Sequence, residues 1–163
     1  NSYYIRDSLI QGLLAGLILV ALLMALIFKN FKLLVISLLP NLLPLLFAGA
    51  LLGFFGIPLE STISVVFAIV FGIAVDDTIH FLGRFRICTA KGLSKEEALH
   101  ITFEDTGRAL IITTLTLFFG FLILLFSVHA PSVTIGLLVS VTLVAALILD
   151  LLLLPVLIRR FLK

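Results

Sequence analysis

The chain has 163 residues, of which 62% are hydrophobic and 12% charged, with a mean hydropathy of +1.34 and a formal net charge of +2. A soluble domain is about 25% charged and under half apolar, so this chain lacks the polar residues to coat a water-soluble fold. Soluble enzymes, secreted scaffolds and nucleic-acid-binding domains are excluded, and an integral membrane protein remains. Cys88 is the single cysteine and permits no internal disulfide. The sequence opens on Asn1 rather than Met, and no signal-peptide pattern precedes the first apolar run, so it reads as a piece of something longer.

A hydrocarbon core about 30 Å thick takes roughly 20 apolar helical residues to cross. Five stretches qualify, over about 8–28, 33–55, 62–81, 109–128 and 133–158. The first carries Gly12-x-x-x-Gly16, a spacing that lets helices approach closely. It ends at the polar turn Lys29-Asn30-Phe31-Lys32. The second repeats the small-residue spacing at Gly49 and Gly53 and contains Pro40 and Pro44, which free backbone carbonyls and are expected to bend or locally open it. Gly56-Ile57-Pro58 breaks it from the third span.

Between the third and fourth spans lies a long loop of mixed charge. Within it Ser94-Lys95-Glu96-Glu97 has the pattern of a capping box. Ala98, Leu99, Ile101 and Phe103 follow, which predicts a short amphipathic helix over about 94–105 lying on the cytoplasmic face of the membrane. His129-Ala130-Pro131 separates the last two spans. Lysine and arginine placement sets the orientation. Lys29, Lys32, Arg84, Arg86, Lys91, Lys95, Arg108, Arg159, Arg160 and Lys163 fall on one side, and Arg6 alone on the other. The expected arrangement is an N-terminus outside and a C-terminus in the cytoplasm. The expected fold class is all-α, a polytopic five-transmembrane-helix bundle forming one transmembrane domain.

Carboxylates inside a bilayer are costly, about 2.5–3.5 kcal/mol each on insertion scales, and mark functional sites. Three fall within the spans: Asp76, Asp77 and Asp150. At about 1.5 Å of rise per residue, Asp76 lies about 12 Å above Arg84, Thr116 about 12 Å above Arg108, and Asp150 about 13.5 Å above Arg159. One polar layer across three helices follows, with Thr78, Thr113 and Thr114 close to it. Threonines on such helices commonly bond back to their own backbone, and Asp150, close to Pro155, could serve helix pairing. Packing gives no reason to bury two adjacent carboxylates. Two such groups cannot both ionise cheaply in a low dielectric, and a carboxylate that gains and loses a proton is what a proton-coupled device needs. His80, four residues from Asp76 and three from Asp77, can lie over either and exchange protons with solvent.

The run Phe71-Gly72-Ile73-Ala74-Val75-Asp76-Asp77-Thr78-Ile79-His80-Phe81-Leu82 closely resembles the proton-relay helix of the resistance-nodulation-division (RND) superfamily, in particular its lipid-exporter branch of mycobacterial large membrane proteins (MMPL) and hopanoid-type exporters. Leu39-Pro40-Asn41-Leu42-Leu43-Pro44 is similar to that family's second-helix Pro-Asn-x-x-Pro signature. The runs Thr106 to Thr114 and Asp150 to Pro155 match the opening and ending of its last two helices. The resemblance implies helices two to six of one six-helix repeat, the C-terminal one by its Asp-Asp-Thr-Ile-His wording. It implies a bacterial inner-membrane exporter of lipids or other hydrophobic molecules, driven by protons as coupling ion with no other cofactor. Asp76 and Asp77 would be the relay, His80 an associate, and Thr113, Thr114 and Thr116 the lining of the same layer. The implied partners are membrane lipids, the hydrophobic substrate, the other six-helix repeat, porter domains absent from this chain, and a homo-oligomer.

Two other readings compete. A sterol-sensing-type bundle would bind lipid without pumping, but lipid sensing does not require a buried acidic pair. An intramembrane aspartyl protease would use Asp77 with Asp150 as a dyad. The Tyr-Asp and Gly-x-Gly-Asp motifs of such proteases do not occur in the sequence.

Overall fold

The computed structural model describes residues 2–58 and 61–162, and every regular element among them is helical. In chain order they are α1 (Ser2–Phe28), α2 (Phe31–Phe55), α3 (Ser61–Ala90), α4 (Lys95–Thr102), a π-helical turn (Phe103–Gly107), α5 (Arg108–Leu122), a 3-10 turn (Ile123–Phe126) and α6 (Ala130–Phe161). Among the described residues five helical stretches are long and apolar enough to cross a membrane.

Local chemistry explains where these helices start and stop. Lys29 takes φ 46°, which turns the chain out of α1. The Asn30 side chain then accepts from the Lys32 amide at 2.9 Å and caps α2. At the other end Gly56, at φ 62°, supplies the left-handed cap that a side chain would disfavour. Between its caps α2 runs as one α-helix through both prolines. Ser94 and Glu97 form the reciprocal capping box, with the Ser94 amide donating to the Glu97 carboxylate at 3.0 Å.

The helix that begins at this box differs from a separate surface segment. It continues through the π-helical turn directly into α5. No proline lies between Ser94 and Arg108 and only Gly107 interrupts the helix formers, so nothing breaks the chain there. The third helix likewise runs on to Ala90 before Gly92, at φ 85°, turns it.

The core sits where α2, α3 and α6 meet. Val66, Val70, Phe81 and Leu82 of α3 are fully buried, as are Val139, Leu143 and Leu154 of α6. Both α1 and α5 lie at the periphery with large apolar side chains such as Leu26, Ile112 and Phe119 outward, the surface a lipid-facing helix presents. At the end that carries most of the basic residues, Arg159 pairs with Glu96 at 2.9 Å. Lys95 Nζ donates to the carbonyls of Arg159 and Leu162, satisfying free acceptors at the C-terminus of α6. Arg86 donates to the Ile27 carbonyl at 2.7 Å and lies over the Phe28 ring, tying α3 to α1. The polar residues Asp76, Asp77, Thr78 and His80 lie in the middle of α3, before Arg86.

Candidate functional site

Asp76, Asp77 and Thr78 are consecutive on α3, so their side chains leave the helix about 100° apart. The three face different surroundings. Asp76 points into an open groove of about 800 Å³ between α3 and the start of α5. Its Oδ1 lies 3.4 Å from His80 Nε2, and the two side chains are 70% and 66% exposed in the chain by itself. Asp77, Thr113 and Thr116 line the same groove, with Asp105 at one end. Arg84 donates to Asp105 and fixes the π-helical turn to α3. Thr113 and Thr116 turn their hydroxyls to carbonyls of their own helix, at 3.1 and 2.8 Å. Their methyl groups and rotatable hydroxyls remain available to the groove.

Thr78 faces the opposite way and is fully buried. Its hydroxyl lies 2.9 Å from Asp150 Oδ1 on α6 and 3.3 Å from Asn41 Oδ1 on α2. Asn41 uses its amide nitrogen to donate to the Ser37 carbonyl one turn back, at 2.7 Å. Ser37 in turn meets Met24 Sδ on α1 at 2.9 Å. A polar chain therefore crosses the closed side of the bundle through four helices. It ends at Asp150 Oδ2, which is buried and has no hydrogen-bond partner among the described residues.

The layer implied by depth thus divides across α3. Asp76, Asp77, His80, Thr113 and Thr116 share the groove, while Thr78 and Asp150 meet each other on the far side. Asp77 lies between the two sets: it is buried, lines the groove wall, and is within electrostatic reach of Asp76, His80 and Asp150. Thr114 is buried in the α5 face and does not line the groove. Asn41 is the polar residue that depth reasoning missed. The available signal was an amide set between two prolines in an otherwise apolar helix. Among the described residues no group of three or more His, Cys, Asp and Glu could hold a metal ion.

Comparison with known proteins decides the family. The model of the MMPL family matches residues 3–160, nearly the whole chain. The chain belongs to the MMPL family. It is accordingly a multi-pass membrane transporter domain within the RND superfamily. A protein of Methanocaldococcus jannaschii provisionally assigned to the membrane is similar to it, 27% identical over 143 residues, which is 88% of this chain and 37% of that relative. The chain therefore spans little more than a third of the length of the curated relative it matches. Among the described residues, the groove and the buried chain are two places where polar chemistry interrupts the apolar bundle.

Proposed function

We propose that this domain couples proton movement to export, with Asp76 and Asp77 as the proton-binding pair and His80 as the group that exchanges protons with them. The observation that carries this reading is the Asp76–His80 contact on the outer face of a membrane helix. A carboxylate and an imidazole left against hydrocarbon would be strongly unfavourable. A surface of this kind has to meet water or protein, and a water-filled seam beside a carboxylate pair is what proton exchange needs. The lining hydroxyls of Thr113 and Thr116 can orient water there, because each can rotate away from its backbone acceptor.

The cover of the groove is a second six-helix unit, from the same polypeptide or from another copy, closing over α3 and α5. The driven cargo is a lipid or another hydrophobic molecule, carried by extracytoplasmic domains that the bundle moves. The distribution of basic residues supports an orientation with the N-terminus outside and the C-terminus in the cytoplasm. The test is transport by the complete protein in proton-tight vesicles. Asp76→Asn and Asp77→Asn should each abolish proton-driven efflux while leaving membrane insertion and thermal stability unchanged. Normal efflux in both variants would remove the pair from the mechanism.

A further inference from the structure

The buried chain on the closed side has a proton count that decides more than packing. Three oxygens stand in a row, Asp150 Oδ1, Thr78 Oγ1 and Asn41 Oδ1, with separations of 2.9 and 3.3 Å. Two hydrogen bonds need two protons, and the Thr78 hydroxyl supplies one. Asn41 turns its carbonyl oxygen, an acceptor only, toward Thr78, while its amide nitrogen lies at the Ser37 carbonyl, so the second proton has to come from Asp150. An ionised Asp150 would also leave Oδ2 charged and unpartnered in a fully buried site, a costly arrangement.

We infer that Asp150 is a proton-carrying carboxylic acid whose protonation state Thr78 and Asn41 read out between helices α6, α3 and α2. In the protonated state Asp150 donates to Thr78, and Thr78 donates to Asn41, so all three helices are tied. When Asp150 gives up its proton, the Thr78 hydroxyl turns to donate to the carboxylate, and the Asn41 carbonyl loses its donor. The α3–α2 link is then exchanged for a stronger α3–α6 link, since bonds to charged acceptors are the shorter and stronger kind. Among the described residues the charged group acting on Asp150 is Asp77 of α3. The side chains that meet it through the chain from α2 are the neutral Asn41 and Ser37. This assignment does not depend on Asp76 acting as a relay.

Infrared difference spectroscopy on the complete protein in lipid nanodiscs at neutral pH tests it, with Asp76→Asn/Asp77→Asn as the common background. The expected result is a protonated-carboxyl carbonyl band, sensitive to deuterium exchange, that is lost in Asp150→Asn. In Thr78→Val the same band should move to the higher frequency of a free acid, and Thr78→Ser should return it. A spectrum unchanged by Asp150→Asn would overturn the assignment, and so would a band that ignores Thr78→Val. If Asp150→Asn fails to fold, the Thr78→Val and Thr78→Ser pair still decides, because both retain Asp150. Loss of efflux in the groove variants with no Asp150 band would remove this inference and leave the proposed function standing.

Discussion

The two sides of α3 use the same residue types to opposite ends. On the open side Asp76 and His80 touch each other, lie mostly exposed, and border a groove whose threonines bond only to their own helix. On the closed side Thr78, Asp150 and Asn41 are buried, and the Thr78 hydroxyl joins the other two across helices. Polar groups free to change partners suit a site that works on protons and water. Polar groups committed to one another fix helix positions, and each is expensive to remove because the low dielectric penalises an unmatched partner. Substitutions on the open side should therefore change activity more than stability, and those on the closed side should change stability first.

The largest expected effect is on the open side. Asp76→Asn keeps the shape and removes the titrating group, so proton-driven efflux should fall to background. The melting temperature of the purified protein should stay within about 2 °C, as is usual for exposed substitutions that break no fixed contact. Equal loss of efflux and of stability would dissolve the contrast between the two sides.

Glycines sharpen it next. A Cβ on Gly136 of α6 would stand 2.7 Å from the Phe121 carbonyl oxygen and 2.8 Å from Leu124 Cβ, where backbone would have to move. Gly136→Ala should destabilise the bundle by about 1–3 kcal/mol, the usual range for overpacking. A Cβ on Gly72, at the groove, meets nothing within 4 Å. Gly72→Ala should change stability by no more than about 1 kcal/mol, in the stabilising direction that helix propensity favours. Detergent-phase thermal unfolding of the two variants side by side measures the difference.

Much of this was legible in the sequence. Apolar run length alone gives five spanning helices, and the capping box at Ser94 is a local signal that needs no tertiary information. Depth along the helices also put Asp76, Thr116 and Asp150 at one level. Rotation was not legible, because a height estimate carries no angle, and the side of α3 that meets α6 depends on packing across all the helices at once. Depth therefore groups Thr78 and Asp150 with Asp76 and Thr116 in one layer, although the structure joins them on the far side of α3 from the groove. Asn41 was hidden for the same reason, since its partners lie 37 residues away on α3 and one turn back on its own helix. Charge in the segment between the third and fourth spans reads as a loop, whereas α4 continues into α5 because the helix extends beyond the apolar stretch.

The smallest expected effect is the most discriminating, because it changes one hydroxyl to a methyl on each side. Thr78→Val removes the hydroxyl that links Asp150 and Asn41 and leaves both buried groups without that partner. Interhelical hydrogen bonds in membrane bundles contribute about 0.6 kcal/mol on average, up to about 1.7. A fully buried hydroxyl linking two other helices belongs toward the upper end, so a loss of about 1–2 kcal/mol is expected. Thr113→Val removes a bond within one helix at an exposed position, where the backbone carbonyl keeps its own amide partner. Its stability should stay within about 0.5 kcal/mol of the parent. A β-branched residue replaces a β-branched residue in both cases, so helix propensity and shape cancel between them. Any remaining difference reports what the hydroxyl connects, and a Thr113→Val loss equal to that of Thr78→Val would mean that the groove is as tightly committed as the core.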